Sequence, residues 1–239
     1  MTDLLFRENA YLRETTGRVV GHTPEGGIIL AGTIFYPTGG GQPGDSGNLI
    51  WDKGTLKIAT AVKADTAGIA LVPAEPMGLP AIGTEVIQQL DWERRHRHMR
   101  VHTALHLLSV IIPLPVTGGS IGIEKGRLDF DMPESPTDKQ ELENQLNELI
   151  SRDFIVSEDW ITADHLKANP DLVKTMSVTP PMTGGRIRMV RIGQGDEQVD
   201  WQPCGGTHVG RTGEIGRVRL GKIEKKGRQN RRVNLHLDG

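Results

Sequence analysis

The chain has 239 residues, enough for one large domain or two small ones with a sizeable core, and its net charge of −2 conceals strongly polarised segments. Thirty Gly and fourteen Pro with 4% aromatics point to many turns and short strands, and away from a helical bundle or a base-stacking nucleic-acid sheet. A single cysteine excludes an internal disulfide and fits a reducing, cytoplasmic setting. The first residues, MTDLLFREN, have neither a basic nor an apolar signal region, so no signal peptide is expected. The longest apolar stretch, Leu105–Val116, is broken by His106, Pro113 and Pro115 and is too short for a bilayer; no membrane partner is expected.

Residues 1–90 predict β structure. GRVVGH, GGIILAGTIFY, NLIW, TLKIATAVK, GIALV and TEVIQQL are short, rich in Val, Ile and Thr, and separated by Gly, Asp or Pro. That pattern predicts a small antiparallel barrel or sandwich. Between the second and third runs lies FYPTGGGQPGDSG, residues 35–47, with five glycines in thirteen residues. Such a loop lets backbone approach another group closely, although for a bare glycine cluster a long hairpin connection is the better explanation. It is no phosphate loop, since neither Lys-Ser/Thr nor a helical pattern follows.

A domain boundary is placed near Asp91, dividing 1–90 from 91–239. WERRHRHMR leads into a helix that Pro113 and Pro115 end. VTGGSIGIEKGRLDFDM predicts a Gly turn, a strand, a second turn and another strand. In the helix of SPTDKQELENQLNELISRDF, capped by Thr137 or Ser135, Leu142, Leu146, Leu149 and Ile150 form the apolar stripe and Glu141, Glu143 and Glu148 a solvated face. TADHLKANPDLVKT predicts a short helix stopped at Asn169-Pro170. RIRMVRIG and VDW are expected strands leading into CGGTH, and the last residues a hairpin ending in an edge strand.

His102 and His106 stand four residues apart on the predicted helix, which turns both imidazoles to one face. Cys204 and His208 repeat that spacing around Gly205 and Gly206. Two imidazoles, a thiolate and a third imidazole make a tetrahedral donor set for Zn2+. A His pair on an apolar helix is by itself more often satisfied core than ligand, and the matching Cys–His pair is what favours metal. Spacing leaves one alternative open, because His98 precedes His102 by four and could be the partner instead.

Charge is segregated. Residues 217–232 hold eight Lys or Arg against one Glu, whereas 131–172 hold eleven Asp or Glu against three Lys or Arg. Arg94, Arg95, Arg97 and Arg100 precede the first histidines, and Lys222, Lys225, Lys226 and Arg228 follow the last. Positive charge on both sides of a metal site suggests a polyanionic partner such as a nucleic acid, held by phosphate contacts. No feature calls for an obligate protein partner.

FYPTGGGQPGDSG, HTALHLLS and CGGTHVGRTGEIG, in that order, closely resemble the free-standing alanyl-tRNA editing proteins of the AlaX family, relatives of the editing domain of alanyl-tRNA synthetase. The resemblance spans nearly the whole chain. An N-terminal barrel with the glycine loop matches the medium, two-domain form; the long form would need a further C-terminal extension. It implies an α+β fold, an antiparallel barrel followed by an α/β two-layer editing domain. It also implies hydrolysis in trans of tRNA(Ala) mischarged with serine or glycine, at a zinc held by His102, His106, Cys204 and His208. By that match His98 lies outside the ligand set, Thr38 and Gln42 position the substrate's small polar side chain, and the arginines around His98 contact tRNA.

Four protein ligands make a closed set, usual for structural zinc. Either the ion activates water, or it grips the substrate while backbone N–H groups near Gly205 and Gly206 assist a free water. The rival to an enzyme is a zinc-stapled RNA-binding module without hydrolytic activity. HTALH lacks the Glu of a zinc-protease helix.

Overall fold

The computed structural model describes every residue except 1, 65–67, 77, 137 and 177–181, and of residue 183 the backbone only. The chain divides into two units, Met1–His96 and Arg97–Gly239. Its architecture is α+β, with a closed antiparallel barrel in the first unit and two further sheets with helices in the second.

The first unit runs β1 (Asp3–Leu4), α1 (Leu5–Glu8), β2 (Glu14–His22), β3 (Ile28–Leu30), β4 (Gly32–Thr33), β5 (Gly47–Trp51), β6 (Gly54–Lys63), β7 (Ile69–Pro73) and β8 (Glu85–Leu90). The barrel closes in the order β2-β3-β7-β6-β5-β8. Period-2 alternation turns Val86, Gln88 and Leu90 of β8 inward. In β6, Leu56 and Ile58 point in, and a bulge after Ile58 shifts the phase so that Ala61 is the next inward residue.

The run 26–36 is not one strand. Only Ile28–Leu30 joins the barrel, while Gly32 and Thr33 pair in parallel with β1. Buried Gln88 takes over the backbone bonds there: its Oε1 accepts from Thr33 Oγ1 (2.8 Å) and Ile34 N (3.2 Å), and its Nε2 donates to Gly32 O (3.0 Å). A side chain thus satisfies groups that a neighbouring strand otherwise would.

Helix α2 (Trp92–Ile111) is capped by Asp91, whose carboxylate accepts from Arg94 N at 3.3 Å, and the division between the units falls inside it. Then follow β9 (Val116–Ile121), β10 (Lys125–Asp131), α3 (Lys139–Ser151), β11 (Val156–Thr162), α4 (Ala163–Ala168), β12 (Met182–Thr183), β13 (Arg186–Ile192), β14 (Asp200–Pro203), β15 (Val218–Lys225) and β16 (Asn230–Leu237). One sheet has the order β15-β16-β10-β9; in the other, β13 lies beside β11 on one side and β12 and β14 on the other. A Cβ at Gly126 of β10 would sit 2.5 Å from Val101 Cγ1, so a glycine there lets the first sheet close onto α2.

Several expectations for this unit change. Gly118 and Gly119 lie within β9 instead of forming a turn, which comes after Ile121. The cap of α3 is Asp138, whose side chain accepts from Glu141 N at 2.9 Å; it is not Ser135, and Thr137 lies outside the described residues. Glu143 does not belong to a solvated face: its carboxylate accepts from Leu220 N (2.8 Å), and Asn147, one turn on, bonds both Val218 N (3.0 Å) and Val218 O (2.9 Å). The exposed edge of β15 is therefore capped by side chains of a helix. The last strand, β16, is no edge but lies between β15 and β10, pairing antiparallel with both. Among the described residues, no helix is long and apolar enough to cross a membrane.

Candidate metal centre

In the second unit α2 delivers His102 and His106 from consecutive turns, and the loop after β14 delivers Cys204 and His208. One donor atom from each of the four lies within 4.8 Å of every other. His102 Nε2 is 3.5 Å and His208 Nε2 3.3 Å from Cys204 Sγ. Tetrahedral zinc with Zn–N and Zn–S bonds of ordinary length needs ligand-to-ligand edges of roughly 3.3–3.6 Å, so the two contacts to Cys204 Sγ already match such an ion. His98, buried at 1% exposure, is not in the cluster.

The surrounding bonds decide which nitrogen of each ring faces inward. Thr103 Oγ1 donates to Met99 O (2.9 Å), so its 3.1 Å contact with His208 Nδ1 runs from the ring N–H to the hydroxyl oxygen. Val209 N donates to the same oxygen at 3.3 Å, which completes it. His208 thereby keeps the Nε2 lone pair for the cluster. His106 Nδ1 lies 2.9 Å from Asp200 Oδ2, and Asp200, 3% exposed, also receives Lys174 Nζ (2.7 Å) and Gln202 Nε2 (2.8 Å). A carboxylate behind a ligating imidazole orients the ring and raises its basicity.

Protonation follows from these contacts. Burial alone would raise the Cys204 thiol, but the His102 and His208 imidazoles outweigh it and hold the thiol well below its usual range. Burial and the neighbouring His102 imidazole push His208 well below its usual range. For His106 burial works downward too, yet the Asp200 carboxylate and the Cys204 thiolate prevail and raise it to about 9. Asp200 ends below the usual carboxylate range, because its bonds with His106 and Lys174 outweigh burial. A thiolate and a neutral imidazole are already in the ligating form.

The sequence pattern did not point to Thr103, Lys174, Asp200 or Gln202, nor to Arg188 and Glu158. Arg188 of β13 is 1% exposed; its Nε donates to Glu158 Oε2 (2.8 Å), its Nη2 bonds Glu158 Oε1, and its Nη1 reaches Cys204 O (2.7 Å) and Gly206 O (3.0 Å). RIRMVRIG carries three arginines interspersed with apolar residues, so nothing in the pattern marks Arg188 as the buried one. Among the described residues, the amides of Gly205 and Gly206 donate to no protein group.

In the first unit the glycine loop is an ordered structure. Gly39 and Gln42 exchange backbone bonds of 3.0 Å around Gly40 and Gly41, whose φ values of 57° and 81° make the paired left-handed turn that favours glycine. Thr38 N donates to Ala61 O (2.9 Å) and Thr38 Oγ1 accepts from Gly44 N (2.9 Å), while Gln42 is buried at 1%. A Cβ on Gly44 would lie 2.1 Å from Ala61 O, so only glycine fits.

The basic residues separate into two groups. Arg95 is no tRNA contact: it is fully buried, grips Asp45 with Nε and Nη2, and donates to Ile34 O (2.7 Å) and Ala10 O (2.9 Å). Arg94 Nη1 donates to Gly44 O (2.7 Å), and Arg100 Nε to Ile215 O (2.9 Å), so both guanidinium groups hold backbone. Arg97 lies 3.9 Å from Glu124. Lys222, Lys225, Lys226 and Arg228 are exposed on the β15–β16 hairpin, with Lys226 paired to Glu224 at 2.6 Å.

Comparison with known proteins adds a second line. The family described as threonyl and alanyl tRNA synthetase second additional domain matches residues 187–234, and that of class II (A) tRNA synthetases matches 10–94. The chain is 36% identical over 238 residues to the alanyl-tRNA editing protein AlaX-M of Saccharolobus solfataricus, covering 98% of both chains. To AlaX-M of Methanosarcina acetivorans it is 31% identical, covering 99% of each. The alanine–tRNA ligase of Pyrobaculum calidifontis is 32% identical over 92% of this chain and 25% of its own length.

Proposed function

The chain belongs to the AlaX-M alanyl-tRNA editing proteins, and from that premise we propose that it hydrolyses the ester linking a wrong amino acid to tRNA(Ala), chiefly serine and secondarily glycine. The observation that carries the chemistry is a candidate metal cluster whose Cys204–His208 turn offers Gly205 and Gly206 amides that have no acceptor among the described residues.

In this reading His102, His106, Cys204 and His208 hold Zn2+, which supplies a fixed positive centre and Lewis acidity when bound. Water adds to the ester carbon, and the carbonyl oxygen takes up negative charge that the Gly205 and Gly206 amides stabilise. The carbon–oxygen bond to the ribose then breaks. One proton of the water goes to the released ribose hydroxyl; the other leaves as the amino acid carboxyl ionises. Covalent catalysis is not required, since a ligated Cys204 is a poor nucleophile and the ester is already activated.

Selectivity is assigned to the glycine loop, with Thr38 hydrogen-bonding the serine hydroxyl and Gln42 positioning the substrate. Polar groups left unpaired by alanine discriminate against it, and such sites reach ~10⁴ or more. The exposed hairpin cations Lys222, Lys225, Lys226 and Arg228 fit phosphate contacts to the tRNA.

A second reading is favoured by the closed, all-protein ligand set: a structural zinc within an RNA-binding module. Deacylation assays on tRNA(Ala) charged with serine, glycine or alanine decide between them, with Cys204→Ala checked for folding. Release of serine, alanine spared, and loss in the folded variant are expected. No release from a zinc-loaded, tRNA-binding protein would establish the module instead.

A further inference from the structure

Arg188 occupies a position that β13 otherwise gives to apolar residues, between Ile187 and Met189, both buried. Arg188 is buried but its partner Glu158 reaches solvent, with 36% of its side chain exposed, and such a pair contributes little, so stability does not account for the arginine. Its two remaining bonds do: Nη1 reaches both Cys204 O (2.7 Å) and Gly206 O (3.0 Å), on either side of Gly205.

Peptide planarity gives these bonds a consequence. No peptide bond is cis among the described residues, so each C=O and the following N–H point in opposite directions. With Cys204 O turned onto the guanidinium, the Gly205 N–H must point away from it. With Gly206 O likewise turned, so must the Thr207 N–H. The carbonyl bond also polarises the Cys204–Gly205 peptide, making its N–H a stronger donor. That amide belongs to the residue after the thiolate ligand and has no protein acceptor among the described residues.

We propose that Arg188 is a positioning residue for ester hydrolysis, which aims the Gly205 amide and strengthens it as the donor for the developing oxyanion. Glu158 holds the guanidinium from behind through Nε (2.8 Å) and Nη2. The inference rests on the deacylase reading. It moves the weight of oxyanion binding from an undifferentiated Gly205–Gly206 pair to one amide with an identified support.

The test compares wild type, Arg188→Lys and Arg188→Ala on serine-charged tRNA(Ala), reading kcat, KM and bound zinc together. Lysine keeps the charge but has no planar fork to span two carbonyls and a carboxylate. Its kcat is expected to fall at least ~10-fold, toward the ~10²–10³-fold cost of losing one oxyanion donor, with KM and zinc content unchanged. In Arg188→Ala, millimolar guanidinium ion should restore part of kcat; it should not restore Cys204→Ala. The Gly205 amide resonance of the zinc-loaded lysine variant should also shift, a readout independent of turnover and decisive should the alanine variant not fold. Unchanged kcat in the lysine variant, or activity and zinc lost in proportion, overturns the role of Arg188 and leaves the deacylase reading intact. A wild type that releases no amino acid overturns both.

Discussion

His208 Nδ1 lies 3.1 Å from the hydroxyl of Thr103, which itself donates to Met99 O, so the threonine holds His208 in the tautomer that presents Nε2 to the metal cluster. Thr103→Val keeps the shape and removes that acceptor. Metal affinity is expected to drop about 10–100-fold, the usual cost of losing such a partner, with secondary structure unchanged. Chelator competition on the folded variant checks this; wild-type affinity would remove Thr103 from the account.

His106 gives metal binding a pH dependence. Its pKa of about 9 means that it carries a proton at pH 7.5 that must leave before it ligates, whereas Cys204 is already ionised. Calorimetry in buffers of different ionisation enthalpy should therefore find about one proton released at pH 7.5, falling to none once the pH passes the pKa of His106. The sign for stability is the same. Because the folded pKa exceeds the ~6.5 of an unfolded imidazole, the contact with Asp200 stabilises metal-free protein fully below that value and is lost as pH rises through about 9. Asp200→Asn should flatten both trends.

Thr38 has two tasks to separate. Its hydroxyl accepts the Gly44 amide at 2.9 Å, so it braces the loop as well as being the proposed contact for serine. Thr38→Val should lower the serine-over-alanine preference at least ~10-fold, and Thr38→Ser should keep it. Equal ratios in all three proteins would rule out a selective role.

Asp45 and Arg95 are both fully buried and bonded at two points. Asp45→Asn leaves the guanidinium without its counter-charge and should destabilise the protein by about 3–5 kcal/mol in denaturant titrations. A change under ~1 kcal/mol would show that the pair is not what fixes the loop.

The hairpin cations supply a different signature. Removing Lys222, Lys225 or Arg228 singly should weaken tRNA binding for every charged amino acid alike, and each contact to a duplex phosphate should reduce the salt slope by ~0.9. Filter binding across a salt series reads this directly. A slope unaffected by all three substitutions would place the tRNA elsewhere.

Much of this protein was legible along the chain, because the relevant physics is local. Four-residue spacing sets two imidazoles on one helical face whatever else the helix touches, and the same spacing around Gly205 and Gly206 brings Cys204 to His208. Alternation in Val86–Leu90 and the turn residues between strands narrowed the first unit to a barrel or sandwich. What failed were inferences about charge. Arg95 reads as one more cation in a basic run, and only a carboxylate fifty positions earlier makes it a buried structural group. Glu143 reads as solvated until β15 offers it an unpaired amide. Thr103, Asp200 and Arg188 acquire meaning only when a helix and two strands distant in sequence meet around one turn. Spacing within an element is set by backbone geometry, but the partner of a polar side chain is set by which distant strand arrives beside it. Spacing within the chain offered His102 with either His98 or His106, and tertiary structure decided that His106 joins the cluster and how its four side chains are oriented, protonated and braced.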